Sequence, residues 1–90
     1  MSPIERAARA LCKLEGNPEN TTFGGQPMWQ SYVPQAMAVV DALYEPSKSM
    51  LEGGAEVFRA ANPHHSEIAA EDDAANVWRM MVDVMRKGIG

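Results

Sequence analysis

Ninety residues suit one small domain, and a chain of this length buries only about 60–65% of the surface its unfolded form exposes, so its core must be thin. A 46% hydrophobic share beside 22% charged residues argues against disorder, while a net charge of −4 opposes binding to nucleic-acid phosphates yet falls short of the dense carboxylate rows of a DNA mimic. Cys12 is the single cysteine, which excludes an intrachain disulfide and any multi-cysteine zinc site.

The first helical segment, about 3–15, opens on a Ser-x-x-Glu capping box from Ser2 to Glu5, with Pro3 at the first helical position. Ile4, Ala7, Ala8, Leu11, Cys12 and Leu14 follow at helical spacing, Arg6, Arg9 and Lys13 fall on the other face, and Gly16 supplies a stop. Residues 17–26, NPENTTFGGQ, read as a loop from their turn residues. A second segment, about 27–44, carries a stripe of Trp29, Tyr32, Val33, Ala36, Met37, Val40, Leu43 and Tyr44. Pro34 removes a hydrogen bond to residue 30, and since the stripe keeps its phase, the expectation is a helix kinked at Pro34 or two abutting helices.

The third segment, about 46–61, opens at Pro46 and places Met50, Leu51, Gly54, Val57, Phe58 and Ala61 on its apolar face. Gly54 on that face implies close backbone packing to offset its poor helix propensity. The fourth segment, about 67–87, begins with Glu67, Glu71, Asp72 and Asp73, where the helix dipole favours negative charge. It continues through Ala74, Val77, Trp78, Met81, Val84 and Met85 and ends on Arg86 and Lys87. There is no sustained alternation and no Asn-Gly or Asp-Gly turn, so no strand is expected. The expected fold is all-α: one domain over 1–90, a bundle of three to four helices whose second and fourth members, with Trp29, Tyr32, Tyr44 and Trp78, form the core.

Candidate sites are sparse. His64-His65 is a poor chelating pair, because neighbours on a helix face different ways, and a zinc ion would need Glu67 or Glu71 as well; a solvated loop before a helix cap is the plainer reading, and no metal is expected. The acidic group Glu67, Glu71, Asp72 and Asp73 serves either a basic partner or the helix dipole. Arg6, Arg9 and Lys13 form a ridge that could touch phosphate or carboxylate, with an exposed, partly paired helix face as the alternative. Cys12 on the apolar stripe reads as a small core residue rather than a nucleophile. No catalytic motif, phosphate loop or dinucleotide fingerprint occurs, so no catalytic residue and no cofactor are expected. Seven methionines suit either irregular core gaps or an adaptable binding face; Met80, off the stripe of the fourth helix, and Phe23, alone on the polar loop, are the candidates for partner contact. No run of about 20 apolar residues is present and the N-terminus lacks a signal-peptide core, so the expected location is the cytoplasm.

Four blocks, IERAARALC (4–12), G-x-P-x-W-x-x-Y-x-P-x-A (25–36), EPSKSMLEGG (45–54) and DDAANVWRMMVD (72–83), coincide with the four segments. Together they resemble small proteins encoded by bacteriophages and prophages, chiefly of alphaproteobacterial hosts. The resemblance implies a phage accessory setting and carries over no catalytic residue. It leads to the expectation of a non-enzymatic protein that binds and inhibits or modulates a host protein in the bacterial cytoplasm, an anti-CRISPR or other anti-defence protein being one form. The alternatives are a virion assembly component or self-associating regulator, hence a homo-oligomer, and then a nucleic-acid-binding regulator acting through Arg6, Arg9 and Lys13.

Overall fold

Ser2 fixes the start of the first helix: its Oγ accepts the Glu5 N–H at 3.1 Å, and Pro3 occupies the first turn, where its missing N–H costs nothing. In the computed structural model, which describes residues 1–64 and 66–88, this helix, α1, runs Pro3–Leu14. The reciprocal half of the expected capping box is replaced, because the Glu5 carboxylate turns along the helix to accept Arg9 Nε at 2.9 Å.

The expected loop contains a β-hairpin. Strand β1 (Thr22–Phe23) pairs antiparallel with β2 (Gln26–Pro27) across Gly24-Gly25. Both glycines hold positive φ, +59° and +82°, which is what a two-residue turn matching strand twist demands. The absence of strands expected from the sequence is therefore corrected: the Gly-Gly pair supplies the turn that Asn-Gly or Asp-Gly would otherwise mark. Two further bonds tie the hairpin down, Met28 N–H to Thr21 O at 2.8 Å and Trp29 N–H to Glu19 O at 3.1 Å.

A 3-10 helix over Met28–Tyr32 leads into α2 (Val33–Ala42). The kinked second helix is also corrected: Pro34 sits in the first turn of α2, where an α-helix tolerates proline, and the change of helix type takes place before it. Helix α3 (Lys48–Ala61) is capped by Ser47 rather than opened by Pro46. Ser47 Oγ accepts Met50 N–H at 3.2 Å, and the Met50 thioether accepts Ser47 N–H at 3.5 Å, in the place where a capping box has a carboxylate. Helix α4 (Glu67–Arg86) begins where Ser66 Oγ accepts Ala69 N–H at 3.1 Å.

The architecture is mostly α, with four α-helices, one 3-10 helix and one hairpin among the described residues. None of these helices is long and apolar enough to cross a membrane. In place of a clean bundle, the chain separates into two compact units, Met1–Ala42 with the chain from Val84, and Leu43–Asp83. The core of the first unit is Ile4, Ala8 and Cys12 of α1 with Tyr32 and Ala36, so α1 takes the place expected for the fourth helix. The cause is polar as well as apolar. Tyr32 Oη donates to Glu15 Oε2 at 2.6 Å and accepts from Asn17 Nδ2 at 2.7 Å, which anchors the ring to the end of α1. Trp29 is claimed by Arg9, whose guanidinium carbon stands 5.1 Å from its ring centre. Leu14, expected on the buried stripe, is 83% exposed.

In the second unit α3 meets α4 at Gly54. A Cβ built there would lie 2.7 Å from Ala74 Cβ, so the close packing expected at this glycine is present, whereas Gly53 has nothing within 4 Å. Gly54→Ala is expected to lower stability by about 1–3 kcal/mol through overpacking. Gly53→Ala is expected to raise it by about 0.5–1 kcal/mol through helix propensity. Urea midpoints moving in the same direction for both would contradict this packing.

Glu15, as acceptor, raises the Tyr32 phenol above its ordinary value of 10.0. The folded protein then keeps this proton where the unfolded chain loses it. Tyr32 accordingly contributes its full stability below pH 10, and the contribution declines as pH rises through the raised value. In Tyr32→Phe the late step of the phenolate absorbance titration should vanish, and the urea midpoint should fall less steeply with alkaline pH than in the wild type.

Candidate functional site

The α3–α4 pair leaves an apolar groove beside its crossing point. Met50, Leu51, Val57 and Phe58 line it from α3, and Val77, Trp78 and Met81 from α4, with Gly54 and Ala74 where the helices meet. Its volume is about 340 Å³. The lining was expected to be core, but Val57 is 71% and Met81 58% exposed, so these side chains face solvent. The buried residues of α4 are instead the small or off-stripe Ala70, Ala75 and Val82.

Polar contacts hold the groove's frame. Trp78 Nε1–H donates to Leu43 O at 2.8 Å, which fixes the indole against the chain leading into α3. Arg79 Nη2 pairs with Glu45 at 2.8 Å, and that carboxylate raises the guanidinium pKa further. Lys48 Nζ pairs with Glu71 at 2.7 Å, and Glu71 likewise raises the ammonium pKa, so both cations are firmly charged at neutral pH. The lining carries no acid, base or nucleophile; what it offers is apolar area with two aromatics and two methionines, the side chains that dominate protein interfaces.

A second apolar groove, of about 430 Å³, lies between α1 and α2 and includes Leu11, Leu14, Val39 and Val40. It is purely aliphatic, and for that reason the α3–α4 groove is the stronger site.

No family model, curated protein or solved structure matches the chain.

The residues singled out in the sequence are spread through the structure. Phe23 sits on the hairpin of the first unit with 64% of its surface exposed. Met80 is 69% exposed on α4 but outside the groove lining. The acidic group heads α4, and it is partly engaged: Glu67 lies 3.8 Å from Arg59, Glu71 holds Lys48, Asp72 is exposed and Asp73 half-buried. The basic ridge does not form a free row. Arg9 is held by Glu5, Asn20 and Glu19 as well as Trp29, Lys13 pairs with Glu19 at 3.4 Å, and Arg6 is exposed. Cys12 is fully buried with its thiol 3.5 Å from Asn17 O, and burial raises its pKa above 9.0, which disfavours the reactive thiolate. His64 is exposed, its backbone N–H donating to Asn62 Oδ1 at 3.2 Å; His65 lies outside the described residues. Among the described residues no three His, Cys, Asp or Glu side chains converge on a metal-sized site.

The sequence reading missed Val57, Val77 and Met81 as surface residues, because a helical stripe identifies an apolar face without saying what covers it. Exposed as they are, Val57→Gln and Met81→Gln are expected to change stability by no more than about 0.5 kcal/mol. A loss above about 2 kcal/mol in urea unfolding would instead identify these positions as core.

Proposed function

We propose that this is a non-enzymatic binding protein, phage-encoded and active in the cytoplasm of the bacterial host, that engages a host protein through the α3–α4 groove and blocks its action. The observation that carries the reading is the exposure of Val57, Val77 and Met81 around Trp78 and Phe58. A contiguous apolar surface bearing aromatics and methionine is costly to leave in water, and it is the usual mark of a protein-binding site. The phage setting comes from the resemblance of the four sequence blocks. A host defence complex, such as a CRISPR effector, is the target class that setting suggests.

Two measurements test the reading. Affinity capture from host lysate should recover a partner with the wild-type protein and lose it, by tenfold or more, with the Val57→Gln/Met81→Gln double variant. Expression in cells whose CRISPR complex targets a plasmid should raise transformation by that plasmid, and the same double variant should abolish the rise. Identical capture by both proteins, or nothing retained above bare resin, would reject groove-mediated binding. Unchanged transformation alone would reject the CRISPR target.

A further inference from the structure

The charge of this protein is unevenly divided. In the unit Leu43–Asp83, three cations, Lys48, Arg59 and Arg79, stand against eight carboxylates, a net of −5; the remainder of the chain, with five of Lys and Arg against four carboxylates, is near neutral at +1. All three cations of the acidic unit face carboxylates of that same unit, Glu71, Glu67 and Glu45. The apolar groove therefore lies in a field of negative sign with its own positive charges already matched. Exposed carboxylates outside these three pairs adjoin the lining in sequence: Glu52 follows lining residue Leu51, and Glu56 precedes lining residue Val57.

We infer that the α3–α4 groove takes a basic amphipathic helix of a partner protein, its apolar anchors seated between Val57, Phe58, Trp78 and Met81 and its Lys and Arg residues directed at the surrounding carboxylates. This rests on the reading of the groove as the binding surface and adds the chemistry of its occupant. A helix presents anchors at i, i+3 or i+4, and i+7 along one face, the pattern that fills a trough between two helices. Met50 and Met81 suit such an occupant because an unbranched thioether adapts to anchors of different shape. An acidic helix would meet like charge, and a second copy of this unit would bring another −5 to the same face, a repulsion that opposes self-association through it.

The probes are two synthetic 18-residue amphipathic peptides of identical leucine pattern, one with lysine and one with glutamate on the polar face, titrated by calorimetry into the full-length protein. The lysine peptide should bind, and its affinity should fall tenfold or more in the Val57→Gln/Met81→Gln variant and again between 50 and 300 mM salt. The glutamate peptide should show no heat of binding. Equal binding of both peptides would overturn the charge argument. A dimer seen by light scattering that the double variant dissolves would assign the groove to a second copy and overturn the inference. Should neither peptide bind while groove-dependent capture from lysate persists, the occupant's chemistry is wrong and the proposed function stands. Should the lysine peptide bind as described while capture fails, the groove's preference stands and the proposed function falls.

Discussion

Helix meets helix in this protein through its smallest side chains, and much of the surface follows from that. Ala8 and Cys12 of α1 and Ala36 beside Tyr32 are almost sealed from solvent in the first unit, and in the second, Gly54 lies directly against Ala74. At these points there is no room for a longer side chain, and Leu11, Met28 and Met37 pack around the first contact rather than within it. The larger side chains splay to the flanks: Leu14 and Val39 beside one contact, Val57, Val77 and Met81 beside the other. Each unit thus has a thin core, of Ile4 and Tyr32 with small residues in the first and of alanines with Val82 in the second, and an apolar trough beside it.

The local signals were legible where the chemistry is local. Ser2 and Pro3 mark the start of α1, Glu67 marks the start of α4, and Gly54 on an apolar stripe implies the close contact found at Ala74, because each effect acts within a turn or at one atom. The failures are of range. Val77, Met81 and Val84 have the spacing of a buried face, yet all three are exposed while Ala75 and Val82 are covered. Periodicity reports amphipathicity, and what covers a face depends on elements distant in sequence. The stripe runs through Pro34, and apolar spacing cannot distinguish one kinked α-helix from a 3-10 segment feeding another helix. The Gly24-Gly25 turn has the sequence of a loop, because its strands are only two residues each, too short to alternate.

The candidate site was visible only in fragments. The methionine count allows an adaptable surface, but the off-stripe Met80 lies outside the groove and the groove's own residues have the spacing of a core. Arg6, Arg9 and Lys13 look like a ridge in sequence, whereas the hairpin loop brings Glu19 to Arg9 and Lys13 and Asn20 to Arg9, so two of the three charges are paired. The net negative charge belongs to the unit that carries the aromatic groove. Apolar surface and net negative charge thus fall in the same unit of the chain.

The contact between Gly54 and Ala74 gives one position an unusual double duty. The spacing of α3 and α4 there is set by an atom that glycine lacks, and the same spacing sets the width of the trough beside it. Changes at Val57 or Met81 alter the lining of the groove without touching that contact. Gly54 has no such freedom: any side chain would alter the gauge of the groove and the seating of the helices in the same step. The flanks of the groove can therefore vary independently of its frame, which is held by a single missing methyl group.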